Sequence, residues 1–214
     1  MPVLGNAPRP GLTKLLQLLA GQRQMMSLIE KDILAASGTF EFDKRDWVKL
    51  WFDPGNVVTS DCGTVRAYRA ITIEGTLMWY VFTDGKRRGY HAISGDPFAA
   101  MEEARTAWQR RRQIKARWGD IEAIARDLRS GRKSFEVRIS DAHASPLCTL
   151  GIDGFMRSVG LGGFSRVSGR MAGMLMKIEP QLGFVIYEAW LRVQAEQTYA
   201  EMNPISSADM GAAL

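Results

Sequence analysis

The residues best placed to do chemistry are cations gathered in one run. Between Arg105 and Lys133 ten bases stand against three acids, Asp120, Glu122 and Asp127. The surplus of this run exceeds the formal charge of the whole chain, +5, so the remainder is slightly acidic. Lys86, Arg87 and Arg88 add a second, smaller group upstream. Arginine outnumbers lysine in both. A concentrated positive surface releases counterions from a phosphate polymer. A guanidinium grips phosphate with two parallel donors, which an ammonium cannot do. The competing reading is a solvated helix face, since arginine is common in the last turn of helices. From sequence both readings stay open.

Other chemistry has weaker support. His91 and His143 have no partner at metal-ligand spacing and read as surface or turn histidines. The glycines of Gly160-Leu161-Gly162-Gly163 are not followed by Lys-Ser/Thr, so this stretch reads as a helix–helix corner rather than a phosphate cradle. Glu102 and Glu103 are chain neighbours on a predicted helix and point about 100° apart, which prevents a facing acid–base pair. They read instead as compensation for the helix's positive end. Cys62 and Cys148 form no spaced motif and read as two reduced, half-buried thiols. No catalytic residue, cofactor or metal site is expected.

Composition sets the bounds. The chain has 214 residues, 46% hydrophobic and 24% charged, enough apolar content for a packed core. The pI near 9.4 permits a polyanionic partner. The first ten residues lack the apolar stretch of a secretory signal, and no tract of about 20 apolar residues is present. A cytoplasmic setting follows as the expectation, with host cytoplasm or a virion as variants.

The elements that must position the cations are predicted as follows. Residues 1–10 form a Pro-rich lead. Apolar spacing from Gly11 to Ser37 predicts an amphipathic helix. Asp43 would cap a short helix carrying Trp47, Leu50, Trp51 and Phe52, ended by Pro54-Gly55-Asn56. Residues 64–94 predict a three-stranded antiparallel meander, turned at Glu74-Gly75 and Asp84-Gly85. Its middle strand is apolar on both faces, so the N-terminal helices and the helix opened by Asp96-Pro97 would cover one face each. A helix over Asp120–Leu128, a short strand at 134–140, Gly-punctuated helices from Ala142 to Leu175 and a final helix from Gly183 to Thr198 follow. The fold class is α+β. The organisation reads as 1–10 lead, 11–130 helices with meander and basic helix, 131–200 helical module and 201–214 tail.

Two stretches resemble known families. Trp79 to Arg88, then Gly95-Asp96-Pro97-Phe98 and Glu102-Glu103-Ala104, resemble the arm-type DNA-binding domain of phage integrases over residues 65–109. That resemblance implies three strands on one helix and a sheet facing DNA. The residues facing DNA would then be Arg66, Tyr68, Lys86, Arg87, Arg88 and Tyr90. The apolar middle strand departs from the pattern and leaves less polar sheet for DNA. Asp141-Ala142, Leu147-Cys148, Gly151-Ile152, Phe155 and Gly160-Leu161 resemble a family of small uncharacterised phage-encoded proteins over residues 135–189. The second resemblance implies a phage origin rather than an activity, with Leu147, Cys148, Ile152 and Phe155 as the buried face of a short helix.

The expected function is therefore nucleic-acid binding of phage or mobile-element type. Binding to DNA or RNA would be mainly electrostatic, through the hairpin cations and through Arg110, Arg111, Arg112, Lys115 and Arg117. The rival is a phage structural or adaptor protein, or an inhibitor, engaging a protein partner or a second copy. Six Trp and eleven Met would suit such an adaptable interface.

Overall fold

Alternation of small or β-branched with aromatic side chains carries the first part of the chain into a sheet. In a computed structural model, which describes residues 41–43, 47–85 and 88–203, this part forms five strands. They are β1 (Glu41–Asp43), β2 (Leu50–Thr59), β3 (Val65–Thr72), β4 (Leu77–Thr83) and β5 (Tyr90–Ala92). The sheet order is β1-β2-β3-β4-β5, antiparallel throughout. The chain divides into two compact units, Met1–Arg105 and Thr106–Leu214. The architecture is α+β, with the sheet in the first unit and the second unit mostly helical.

The predicted meander is present as β3, β4 and β5. Its turns fall where glycine was expected, Gly75 at φ 87° and Gly85 at φ 76°. The predicted helix over Trp47–Phe52 is replaced by β1 and β2. Trp47, Leu50 and Trp51 have the spacing of a helical face, but Trp51 pairs across the sheet with Ile71 and its neighbour Phe52 with Ala70. Cross-strand packing outweighs local spacing here. Pro54 does not break the chain. It lies where the β2–β3 register shifts between Phe52 and Val57, a position that needs no ladder donor. The Asp53 carboxylate accepts the Gly55 amide at 2.9 Å and holds this irregularity. The predicted helix over 11–37 lies outside the described residues.

The apolar middle strand was expected to need a helix on each face. The N-terminal helix expected over one of them lies outside the described residues, and among the described residues the sheet curls on itself. The Tyr80 hydroxyl on β4 donates to Asp43 on β1 at 3.0 Å, across two intervening strands. Neighbouring strands are about 4.8 Å apart, so a flat sheet would separate these residues too widely. Phe52, Tyr68, Tyr80 and Phe82 meet on this inner face with ring centroids 4.4–6.3 Å apart. His91 stacks on Tyr80 at 5.1 Å and is only 5% exposed, so it is a core histidine and not a surface one.

Helix α1 (Pro97–Lys115) begins after Asp96, whose carboxylate accepts the Ala99 amide at 2.8 Å. Glu102 and Glu103 lie beyond its first turn, so they do not serve the helix end as expected. Glu103 accepts from the Tyr90 hydroxyl at 2.9 Å, and Glu102 lies 3.8 Å from Arg105.

The second unit contains the rest of α1, then α2 (Trp118–Ser130), β6 (Glu136–Arg138), α3 (Ile139–Ala144), α4 (Thr149–Ser158), β7 (Arg166–Ser168), α5 (Gly169–Leu175) and α6 (Leu182–Met202). Helix α2 ends at Gly131, φ 77°, as its Ser130-Gly131 signal predicts. Strand β7 was not anticipated. It pairs antiparallel with β6, Val137 opposite Val167, and turns the predicted helical region into three short helices flanking a ribbon. Gly160 to Gly163 is consequently a helix–strand corner, with φ 74° and 91° at its ends.

Ile121, Leu128, Phe184 and Ile186 are the largest fully buried side chains of this unit. Cys148, Ile152 and Phe155 are buried as expected, although Leu147 and Cys148 precede α4 rather than lying within it. Close helix approach depends on glycine. A Cβ on Gly173 would stand 2.9 Å from the Ala125 carbonyl oxygen, which leaves no room for a side chain.

Candidate anion-binding surface

The predicted cations separate into two classes once their surroundings are known. Arg66 is paired with Asp84 on the same hairpin. That hydrogen bond raises its pKa above the usual arginine value, and the Tyr68 side chain adds to the shift. Tyr68 itself faces the aromatic interior of the curled sheet. Tyr90 is buried, with its hydroxyl on Glu103. These two tyrosines therefore pack the first unit rather than line an open face. Arg88 is exposed, and Lys86 and Arg87 lie outside the described residues.

In the second unit, Arg110 donates to Glu188 at 2.7 Å and to the Ala144 carbonyl at 2.7 Å. Burial pushes the Glu188 carboxyl upward, and Arg110 opposes that shift. Arg111 Nε donates to the Pro146 carbonyl at 2.9 Å. Both arginines thus tie α1 to the α3–α4 turn, a role that their place in a basic run did not reveal.

Arg112, Lys115 and Arg117 differ. All three are exposed, and among the described residues none forms an ion pair. Arg112 and Lys115 are three apart on α1 and share one side of it. Arg117 follows in the turn, where its amide donates to the Ile114 carbonyl at 2.9 Å. The helix end therefore presents three uncompensated cations within six residues of sequence.

A second cationic group was not foreseen. The turn after α2 and the β6–β7 ribbon enclose an open cleft of about 520 Å³. Lys133, Arg166 and Arg170 line it, against the single carboxylate of Glu136. Glu136 lies 3.3 Å from Arg166, whereas Lys133 and Arg170 form no ion pair among the described residues. The half-buried Phe135 and Val167 supply the apolar part of the lining, with the fully buried Leu128 behind them. Sequence hid this site because β7 is only three residues long and brings Arg166 and Arg170 beside Lys133 across more than thirty positions of chain.

Comparison with protein-family models, curated proteins and solved structures finds no match for the chain. The functional reading therefore rests on the geometry itself.

Two further features bear on it. Cys62 is exposed in the β2–β3 loop, contrary to the half-buried thiol expected. Its sulfur lies 3.0 Å from Thr64 Oγ1, 3.4 Å from Ser60 Oγ and 3.5 Å from Arg105 Nη2. The hydroxyl hydrogen bonds of Ser60 and Thr64 lower its pKa to about 6, with Arg105 assisting. Among the described residues no group of three or more His, Cys, Asp or Glu could hold a metal ion. No helix among them is long and apolar enough to cross a membrane.

Proposed function

We propose that this chain binds nucleic acid, gripping the phosphate backbone through the uncompensated cations of its second unit. The observation that carries the reading is the exposed trio Arg112, Lys115 and Arg117, which form no ion pair among the described residues. Cations already neutralised within the protein contribute little to a polyanion's affinity, whereas each unpaired one displaces a counterion on binding. The cations lining the cleft form a second group, at the other end of α2 from the trio. Contacts to phosphate carry no base information, so this reading implies weak dependence on sequence. A phage or mobile-element setting for such a binder is part of the proposal and rests on the sequence resemblances alone.

Gel shift with duplex and single-stranded oligonucleotides, together with heparin retention, tests the proposal. The variant Arg112→Glu, Lys115→Glu, Arg117→Glu is expected to lose both. Binding that survives this reversal unchanged overturns the reading.

A second reading, an adaptor for a protein partner, has its own observation. Phe164, Met171, Met174 and Ile178 are all large, apolar and 48–62% exposed except Met171 at 40%. Met171 and Met174 are three apart on α5 and share one side of it, and Ile178 lies in the turn that follows. Stable association with a protein, with no shift of DNA at physiological salt, favours this reading over the first.

A further inference from the structure

We infer that the cleft beside the β6–β7 ribbon is a nucleotide site, taking a nucleoside phosphate with the phosphate on its cationic rim and the base over its apolar floor. The inference rests on the nucleic-acid reading and deepens it from backbone attraction to the seating of one unpaired nucleotide.

Three observations converge on that ligand. The cleft's size, about 520 Å³, falls within the range of about 300–1,000 Å³ typical of small-ligand sites. Its polar lining is cationic: Lys133 and Arg170 carry no carboxylate partner among the described residues, and Arg166 shares Glu136. An anion entering there meets uncompensated charge, not a lattice of pairs that must first be broken. The remaining wall is mixed: Ser134 and Ser168 stand beside the half-buried Val167 and one aromatic residue, Phe135. Inorganic phosphate would use the rim alone and leave that wall wet. A nucleotide uses both, because every base has a π-face that can lie on an aromatic or aliphatic surface.

The frame of the cleft is fixed. The Gly169 amide donates to the Phe135 carbonyl at 2.8 Å, which ties the start of α5 to the strand that carries the ring. A Cβ at position 169 would meet that carbonyl oxygen at 2.6 Å, so the approach requires glycine. The Ile139 amide donates to the Ser165 carbonyl at 2.8 Å and closes the other end of the ribbon. These bonds fix the backbone that carries Phe135 and precedes Arg170, while the exposed Arg170 side chain must still be ordered when a ligand binds.

The test is titration of the full chain with adenosine 5′-monophosphate, ribose 5-phosphate and inorganic phosphate, followed by amide chemical shifts. The expected result is saturable shifts at Lys133, Phe135 and Arg170, with the nucleotide binding about ten-fold tighter than either phosphate lacking a base. Lys133→Ala with Arg170→Ala should abolish binding of all three. Phe135→Leu, which keeps an apolar floor, should erase the preference for the nucleotide and leave phosphate binding intact. Equal affinity for the three probes, or shifts confined to other surfaces, overturns the inference. A single-stranded oligonucleotide titrated on the same preparation separates the two claims. If it binds while the mononucleotide leaves the cleft unperturbed, only the nucleotide site falls. If the mononucleotide occupies the cleft and the oligonucleotide does not bind, the site stands and the backbone-binding function falls.

Discussion

Arg192 on α6 holds both carboxylate oxygens of Asp141 on α3, from Nε at 2.8 Å and from Nη2 at 3.1 Å. Asp141 is only 3% exposed, and its Oδ2 also accepts the Arg138 amide at 2.7 Å. The hydrogen bonds that Arg192 donates to Asp141 raise the arginine's pKa above its usual value. Arg192 in addition donates to the Glu136 carbonyl at 2.8 Å. One guanidinium therefore joins the last helix, the ribbon and the cap of α3, and so frames the wall of the cleft.

Removing one partner of a buried pair strands the other charge, which costs about 3–5 kcal/mol. Asp141→Ala leaves Arg192 its second carboxylate, Glu196 at 3.2 Å, so the second unit is expected to lose no more than the lower end of that range, about 3 kcal/mol. Urea unfolding followed by the fluorescence of its tryptophans measures it. A loss below about 1 kcal/mol would show that water already screens the pair.

Gly173→Ala should also destabilise, by about 1–3 kcal/mol, because its Cβ would press on the Ala125 carbonyl and not on a side chain that can swing aside. Gly162→Ala is the control, since only a side-chain carbon at 3.8 Å lies near its Cβ. Thermal melts of the two variants are expected to differ by several degrees.

The Glu188 carboxyl is raised by burial, so the fold favours its protonated form relative to the unfolded chain. A raised folded-state pKa gives stability that is fully present below the unfolded value and is lost as pH rises through the folded one. Glu188→Gln removes that loss while keeping an oxygen for Arg110 to donate to. The stability difference, variant minus wild type, should therefore increase from pH 4 to pH 7 in a series of urea titrations. A difference that is flat with pH would mean that Arg110 cancels the burial effect.

Cys62, with a pKa near 6, should be half thiolate at about that pH, whereas an ordinary thiol titrates near 8.5. Alkylation by iodoacetamide, read by mass spectrometry across pH, is expected to show a midpoint near 6 at Cys62 and no reaction at buried Cys148. Thr64→Val together with Ser60→Ala should move the midpoint up by more than one unit. A midpoint unchanged by the double variant would transfer the effect to Arg105.

For the proposed nucleic-acid binding, salt dependence reads the number of phosphate contacts directly. The slope of log K against log salt changes by about one for each phosphate-contacting cation lost. Replacing Arg112, Lys115 and Arg117 with Ala should lessen it by about three, and replacing Arg110 and Arg111 should alter it little. The opposite order would relocate the contact surface to the α3–α4 turn.

Periodicity and turn chemistry by themselves determined the α+β class, the meander from Val65 to Ala92, the start of α1 and the stop at Gly131. Each of these rests on interactions between residues close in sequence, such as Asp96 capping its own helix or Gly85 accepting a positive φ. The concentration of charge in one run was equally legible, because composition needs no geometry. Only the tertiary structure decided which cations stay uncompensated. Arg110 meets Glu188, far along the chain, while Arg112, two residues on, meets no carboxylate among the described residues. Helical phase and the position of α6 set that difference. The strand character of Trp51 and Phe52, the curl that brings Tyr80 to Asp43, and the cleft joining Lys133 to Arg170 have the same origin. They are contacts between distant segments, and their energy appears only after the chain has closed the loops between them.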